Sequence, residues 1–142
     1  MIIRIDNFID QKQCDNLINY FNNNLNNTKK YRDTLTLSYK DFYIFHKLQT
    51  LFNFQDFSNT DNMEIVLWNK GSKMDLHKDE GDKLSFIIYL NDNYNGGETT
   101  IDDITIKPKT GRLVLFSNGH YLHKVNKIKT NKRYTLIGWY ND

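Results

Sequence analysis

The sequence predicts a mainly β domain, an antiparallel sandwich or barrel braced by helices at its N-terminal end. Two observations carry this. Apolar residues recur with helical spacing only before Met63. From Met63 onward the chain breaks into short β-rich runs, "MEIVLW", "KLSFIIYL", "ETTI", "ITIK", "RLVLF", "HKV" and "RYTLIGWY". Between them stand the turn signals "NKGS", "NDNYNGG", "IDD", "PKTG" and "SNGH".

The elements follow in chain order. "IRID" alternates apolar and polar residues and reads as a short strand. Asp10 is placed to cap a helix whose apolar stripe is Cys14, Leu17, Ile18 and Phe21. "NYFNNNLNNTKK" is read as the helix end running into a polar loop. "TLTLSY" at 34–39 alternates strictly, as a half-buried strand does. Phe42, Phe45, His46, Gln49 and Phe52 return to helical spacing, which predicts a second helix over about 41–53. His46 falls on its apolar side and is expected to be a hydrogen-bonded core histidine.

Composition narrows the function classes. The 142 residues suit one domain, 1–142, with a real core. No apolar run approaches the roughly 18 residues of a membrane span. The opening "MIIRIDNFID" has early charges and no small-residue cleavage site, so no signal peptide is expected. The single cysteine, Cys14, forms no intramolecular disulfide and is read as a small apolar residue, which suits a reducing, cytoplasmic setting. The net charge of +2, with lysines scattered among acids, disfavours a dedicated nucleic-acid binder.

The chemistry is concentrated in the β half. Side chains two apart on an extended segment face the same way. In "MDLHKDEGDK" this parity joins His77 to Asp79, with Asp75–His77 as a competing pair. Together an imidazole and a carboxylate make a bidentate grip on a divalent metal. Two histidines downstream could complete the set. His120 is expected in the turn after Asn118-Gly119, and His123 opens the "HKV" run with Val125 on its own face. The strand position favours His123. Two histidines and one carboxylate leave part of an octahedron open, as in non-haem Fe(II) oxygenases; a catalytic zinc site is the chemical alternative.

The last strand adds a cation. Arg133, Thr135, Ile137 and Trp139 share one face of "RYTLIGWY". If that face is interior, the guanidinium needs an anion, because burying it unpaired costs several kcal/mol. Its planar fork suits a carboxylate. The other reading leaves Arg133 on the surface at the strand's start. Tyr89 has the parity of Ser85 and Ile87 and either adds a hydroxyl to the same site or packs in the core. Trp139 either lines a substrate mouth or packs.

Taken in order, "IVLWNKGSKMDLHKD", "FIIYLND", "GGETTI", "KPKTGRLVLF", "LHKV" and "KRYTLIGWY" resemble the 2-oxoglutarate and Fe(II)-dependent dioxygenases of the prolyl 4-hydroxylase type. The likeness covers Met63 to Tyr140. "IRIDNFIDQKQCDNLI" resembles the family's N-terminal strand and helix more loosely. The resemblance implies a double-stranded β-helix, or jelly roll, braced by N-terminal helices. It implies His77, Asp79 and His123 as iron ligands, and Arg133 with Tyr89 on the distal carboxylate of 2-oxoglutarate. It further implies dioxygen as co-reactant, ascorbate as an accessory reductant, and hydroxylation of a C–H bond with release of succinate and carbon dioxide.

Departures from the family pattern bear on the pocket and the substrate. Trp68 stands in the cofactor pocket where many members have tyrosine; an indole donates a hydrogen bond and accepts none, so the cosubstrate contact there is altered or absent. Lys124 follows the distal histidine where relatives are often acidic. "NKIKTNK" lacks the proline and glycine common before the arginine. The implied substrate is a protein or peptide, with a small molecule as the lesser alternative. Two other readings stay open. One is a nucleic-acid alkylation-repair demethylase, suggested by the Gly71 to His77 spacing; the other is a non-catalytic metal-binding β-barrel module.

Overall fold

Alternation along the strands, rather than overall hydrophobicity, decides where each element lies. The computed structural model describes residues 2–52, 63–80, 83–117 and 119–141. In chain order the elements are β1 (Ile2–Ile5), α1 (Gln11–Asn22), β2 (Lys29–Tyr31), β3 (Thr34–Tyr39) and α2 (Phe42–Phe52). Next come β4 (Met63–Trp68), β5 (Met74–His77), β6 (Lys83–Tyr89), β7 (Asn95–Gly96) and β8 (Thr99–Ile101). The last five are β9 (Ile104–Ile106), β10 (Leu113–Ser117), β11 (His123–Val125), β12 (Ile128–Thr130) and β13 (Arg133–Asn141).

A seven-stranded sheet runs β1-β10-β6-β13-β4-β3-β2, a four-stranded sheet runs β5-β11-β8-β9, and β12 pairs with β7. The strand pairings are antiparallel, as expected of the jelly-roll class. Along β4, Ile65 and Leu67 enter the large core shared with the helices. Their neighbours Val66 and Trp68 belong to a second cluster with Val125 and Ile128. β4 is therefore buried on both faces, with helices behind it and the smaller sheet in front.

α1 begins where the sequence places it. The Asp10 carboxylate accepts a hydrogen bond from the Gln13 amide at 2.8 Å, and the Gln13 side chain accepts one from the Asp10 amide at 2.9 Å. This capping box satisfies two amides that the first turn leaves open. Cys14, Leu17 and Phe21 are buried as the spacing predicts. The Asn-rich stretch is not all loop: a short 3-10 turn, Leu25–Asn27, leads into β2.

For α2 the predicted face is wrong. Ile44 and Leu48 are buried, whereas His46 is exposed and Phe42 is 82% exposed. Apolar residues occupy several sides of this helix, so spacing alone does not choose the buried one; contact with the sheet does. His46 is a surface histidine, not a core one. Residue 53, at the predicted end of this helix, lies outside the described residues. No helix among the described residues is long and apolar enough to cross a membrane.

Candidate active site

His77 ends β5 and His123 begins β11, and antiparallel pairing sets them directly opposite one another. Their rings lie 4.2 Å apart between centroids. Asp79, two residues past His77, places one oxygen 3.4 Å from His77 Nε2 and the other 3.5 Å from His123 Nε2. The donor atoms of this trio all lie within 4.8 Å of one another.

Both imidazoles are held in one tautomer. His77 Nδ1 donates to the Asp75 carbonyl at 2.8 Å, and His123 Nδ1 donates to the Tyr121 carbonyl at 3.0 Å. Each acceptor is a carbonyl, so each Nδ1 carries the proton and each Nε2 keeps its lone pair for the centre of the trio. His123 is 8% exposed. Burial holds its pKa below the ordinary histidine value, partly offset by the Tyr121 carbonyl. The shift favours the neutral form that metal ligation requires.

The other candidates separate by position. Asp75 turns away into solvent, where it pairs with Lys73 at 3.3 Å, its side chain 84% exposed. His120 is exposed and meets Tyr121 edge to face, with ring centroids 5.3 Å apart. Neither joins the trio.

Arg133 is 2% exposed and ranks among the largest fully buried side chains. The surface reading of this residue is excluded. Its guanidinium lies between the Trp68 ring at 4.8 Å and the Tyr89 ring at 5.4 Å, a favourable place for a cation. Nη2 donates to Thr99 Oγ1 at 3.2 Å, while Nε has no partner. No ion pair joins Arg133 to an acid among the described residues. The Tyr89 hydroxyl is within 2.6 Å of the same Thr99 oxygen. Tyr94 is also buried near the guanidinium; burial raises its phenol's pKa, and the arginine's charge partly offsets the rise.

Trp68 is buried with its indole Nε1 unpartnered. The trio, Arg133 and Trp68 line one cavity of about 910 Å³, and Ile137 and Trp139 extend its wall. The interior face predicted for β13 is thus the cavity face. Thr99 was missed by sequence reasoning. It lies in the recognised "GGETTI" run, but a strand threonine carries no mark of joining a tyrosine to an arginine.

These side chains fit the cofactors in two respects. With metal–ligand bonds of about 2.1 Å, donors on one octahedral face stand about 3 Å apart, and one donor atom from each of the three residues already lies within 4.8 Å of the others, so a modest inward shift would close the set on an ion. A buried guanidinium without an acid, beside an orphaned indole N–H, fits a small anion that brings its own negative charge.

Comparison with known proteins bears on this arrangement. A sequence model described as the 2OG-Fe(II) oxygenase superfamily (2OG, 2-oxoglutarate) matches residues 63–141. No curated protein sequence matches the chain. Among solved structures, a Trichoplax adhaerens prolyl hydroxylase in complex with a peptide fragment of the hypoxia inducible factor oxygen degradation domain superposes with a TM-score of 0.83 at 17% identity, covering 99% of this chain and 83% of that one. A viral collagen prolyl hydroxylase from Paramecium Bursaria Chlorella virus-1, in complex with 2OG, gives 0.77 at 18% identity, covering 97% and 93%. A Pseudomonas putida prolyl-4-hydroxylase gives 0.73 at 17%, covering 99% and 91%.

Proposed function

We propose a substrate and a division of labour for a chain that belongs to the 2OG-Fe(II) oxygenase superfamily and is therefore an Fe(II)- and 2-oxoglutarate-dependent dioxygenase. Its substrate is a protein or peptide, and the bond hydroxylated is a prolyl C–H, with release of succinate and carbon dioxide. The fold shared with three prolyl hydroxylases, one of them bound to a peptide, supports this choice.

His77, Asp79 and His123 hold the iron. The two Nδ1 protons, tied to carbonyls, aim both Nε2 lone pairs at one point, and Asp79 adds negative charge beside them. A metal held by two imidazoles and one carboxylate would keep coordination positions free for cosubstrate and dioxygen. Bound there, iron and 2-oxoglutarate together supply the oxidising chemistry that cleaves an unactivated C–H bond.

Arg133 grips the distal carboxylate of 2-oxoglutarate. Thr99 steadies its Nη2 and places the Tyr89 hydroxyl alongside. Trp68 covers the guanidinium and offers its free N–H to the same ligand. Val66, Ile137 and Phe116 give the cavity apolar walls that exclude water around the reacting groups. One observation carries the assignment: a fully buried arginine with no acidic partner among the described residues, in the same cavity as the His/Asp/His trio.

Purified protein with Fe(II), 2-oxoglutarate and proline-bearing peptides tests it. Succinate should form only with iron, a peptide should gain one oxygen atom on proline, and His77→Ala should abolish both. Oxygen found on another residue or on a nucleobase would reject the prolyl assignment.

A further inference from the structure

Glu64 occupies a place that the cofactors do not explain. β4 pairs with β13 so that Trp68 faces Arg133, Val66 faces Thr135 and Glu64 faces Ile137. Parity therefore puts Glu64 on the cavity face of the large sheet, at the end away from Arg133. Ser38 is its opposite number on β3. The Glu64 residue is half-buried, and its side chain makes no hydrogen bond or ion pair with a described residue. Burial raises its pKa, as expected of a carboxylate that is poorly hydrated and unpaired.

Arg32, in the β2–β3 turn next to the Thr34–Trp68 pairing, lines the cavity, as do Lys78, Asp79 and Glu80. Glu64 lies four residues along β4 from Trp68, about 13 Å away at the usual strand rise. A cavity of this volume holds a drug-sized ligand, more than a five-carbon diacid fills. The remaining space is walled by Ile137 and Trp139, and Ile137 is the cross-strand partner of Glu64.

We propose that Glu64 sets the enzyme's specificity by pairing with a lysine or arginine side chain next to the hydroxylated residue of a peptide substrate. This rests on the peptide reading above and adds the chemical class of the peptide. One end of β4 carries Trp68 opposite Arg133. At the other end a half-buried carboxylate, short of hydration, gains a charge-assisted partner in a medium less polar than water.

The test is equilibrium binding by fluorescence anisotropy. The full chain is loaded with 2-oxoglutarate and Mn(II), a stand-in that does not turn over. The probes are labelled proline peptides carrying lysine, alanine or glutamate at the position before or after the proline. Wild-type protein should bind the better-placed lysine peptide on the order of tenfold more tightly than its alanine counterpart. Glu64→Gln should erase that advantage, and Glu64→Lys should transfer it to the glutamate peptide. A lysine advantage absent from the wild type, or surviving Glu64→Gln, overturns the proposal. The peptide reading fails separately, through iron-dependent succinate formation that leaves every peptide unmodified.

Discussion

Replacing Arg133 by methionine separates its binding role from its structural one. The long apolar side chain fills most of the same volume between Trp68 and Tyr89 but removes the buried charge. Truncating one member of a buried, hydrogen-bonded charge pair costs about 2–5 kcal/mol of binding, so 2-oxoglutarate should bind at least about 30-fold more weakly. Thermal unfolding with Mn(II) reads this directly. At 100 times the wild-type Kd the ligand stabilises by about 2.7 kcal/mol. For a chain of this length that raises Tm by roughly 8–11 °C. The same concentration is only about three times the Kd of the variant or less, which stabilises by below about 1 kcal/mol and shifts Tm by about 3 °C at most. Without ligand the variant should melt at or above the wild-type temperature, because an unpaired guanidinium has left the interior. Arg133→Lys should fall between, keeping the charge and losing the planar fork. A ligand shift equal to the wild type's, or a ligand-free variant melting more than about 5 °C lower, would refute the carboxylate role.

Three further outcomes follow from the same geometry. Thr99→Val keeps the shape and deletes the hydroxyl shared by Tyr89 and Arg133. It should destabilise by about 1–3 kcal/mol and weaken 2-oxoglutarate binding several-fold, which denaturant melts and titration calorimetry would measure. Gly97 has φ +70°, and a Cβ there would stand 2.6 Å from Ile128, 2.9 Å from Tyr94 and 3.2 Å from Arg133. Gly97→Ala should therefore cost about 2–4 kcal/mol from overpacking and a left-handed backbone together, and should raise the 2-oxoglutarate requirement by displacing the arginine. Cys14 is buried, and burial pushes its thiol up to about 11. It should resist a disulfide reagent at pH 8 in native protein and react at once in denaturant; rapid native labelling would contradict that burial.

The β half was legible because parity is a property of the chain alone. His77 with Asp79, His123 with Val125, and Arg133 with Ile137 and Trp139 each follow from alternation, and the structure places all seven in the lining of one cavity. What parity cannot give is which strands are neighbours. The cross-strand meeting of His77 and His123 depends on β5 pairing with β11, a contact between distant segments. Thr99 escaped for the same reason: its value lies in touching Tyr89 and Arg133, neither close to it in sequence. α2 misled because Phe42, Phe45 and Phe52 suggest one stripe and Ile44 and Leu48 another, and only the sheet beneath decides between them.

The metal trio hangs from the smaller sheet, whereas Arg133 and Trp68 belong to the larger one. On the assignment proposed above, a single cosubstrate molecule would bridge the two layers, acting as a spacer of fixed length. Any change in how those layers sit, even one made in the apolar packing behind β4 and far from every ligand, alters that span. Tolerance of the pocket to shorter or longer diacids thus becomes a ruler for the distance between the sheets.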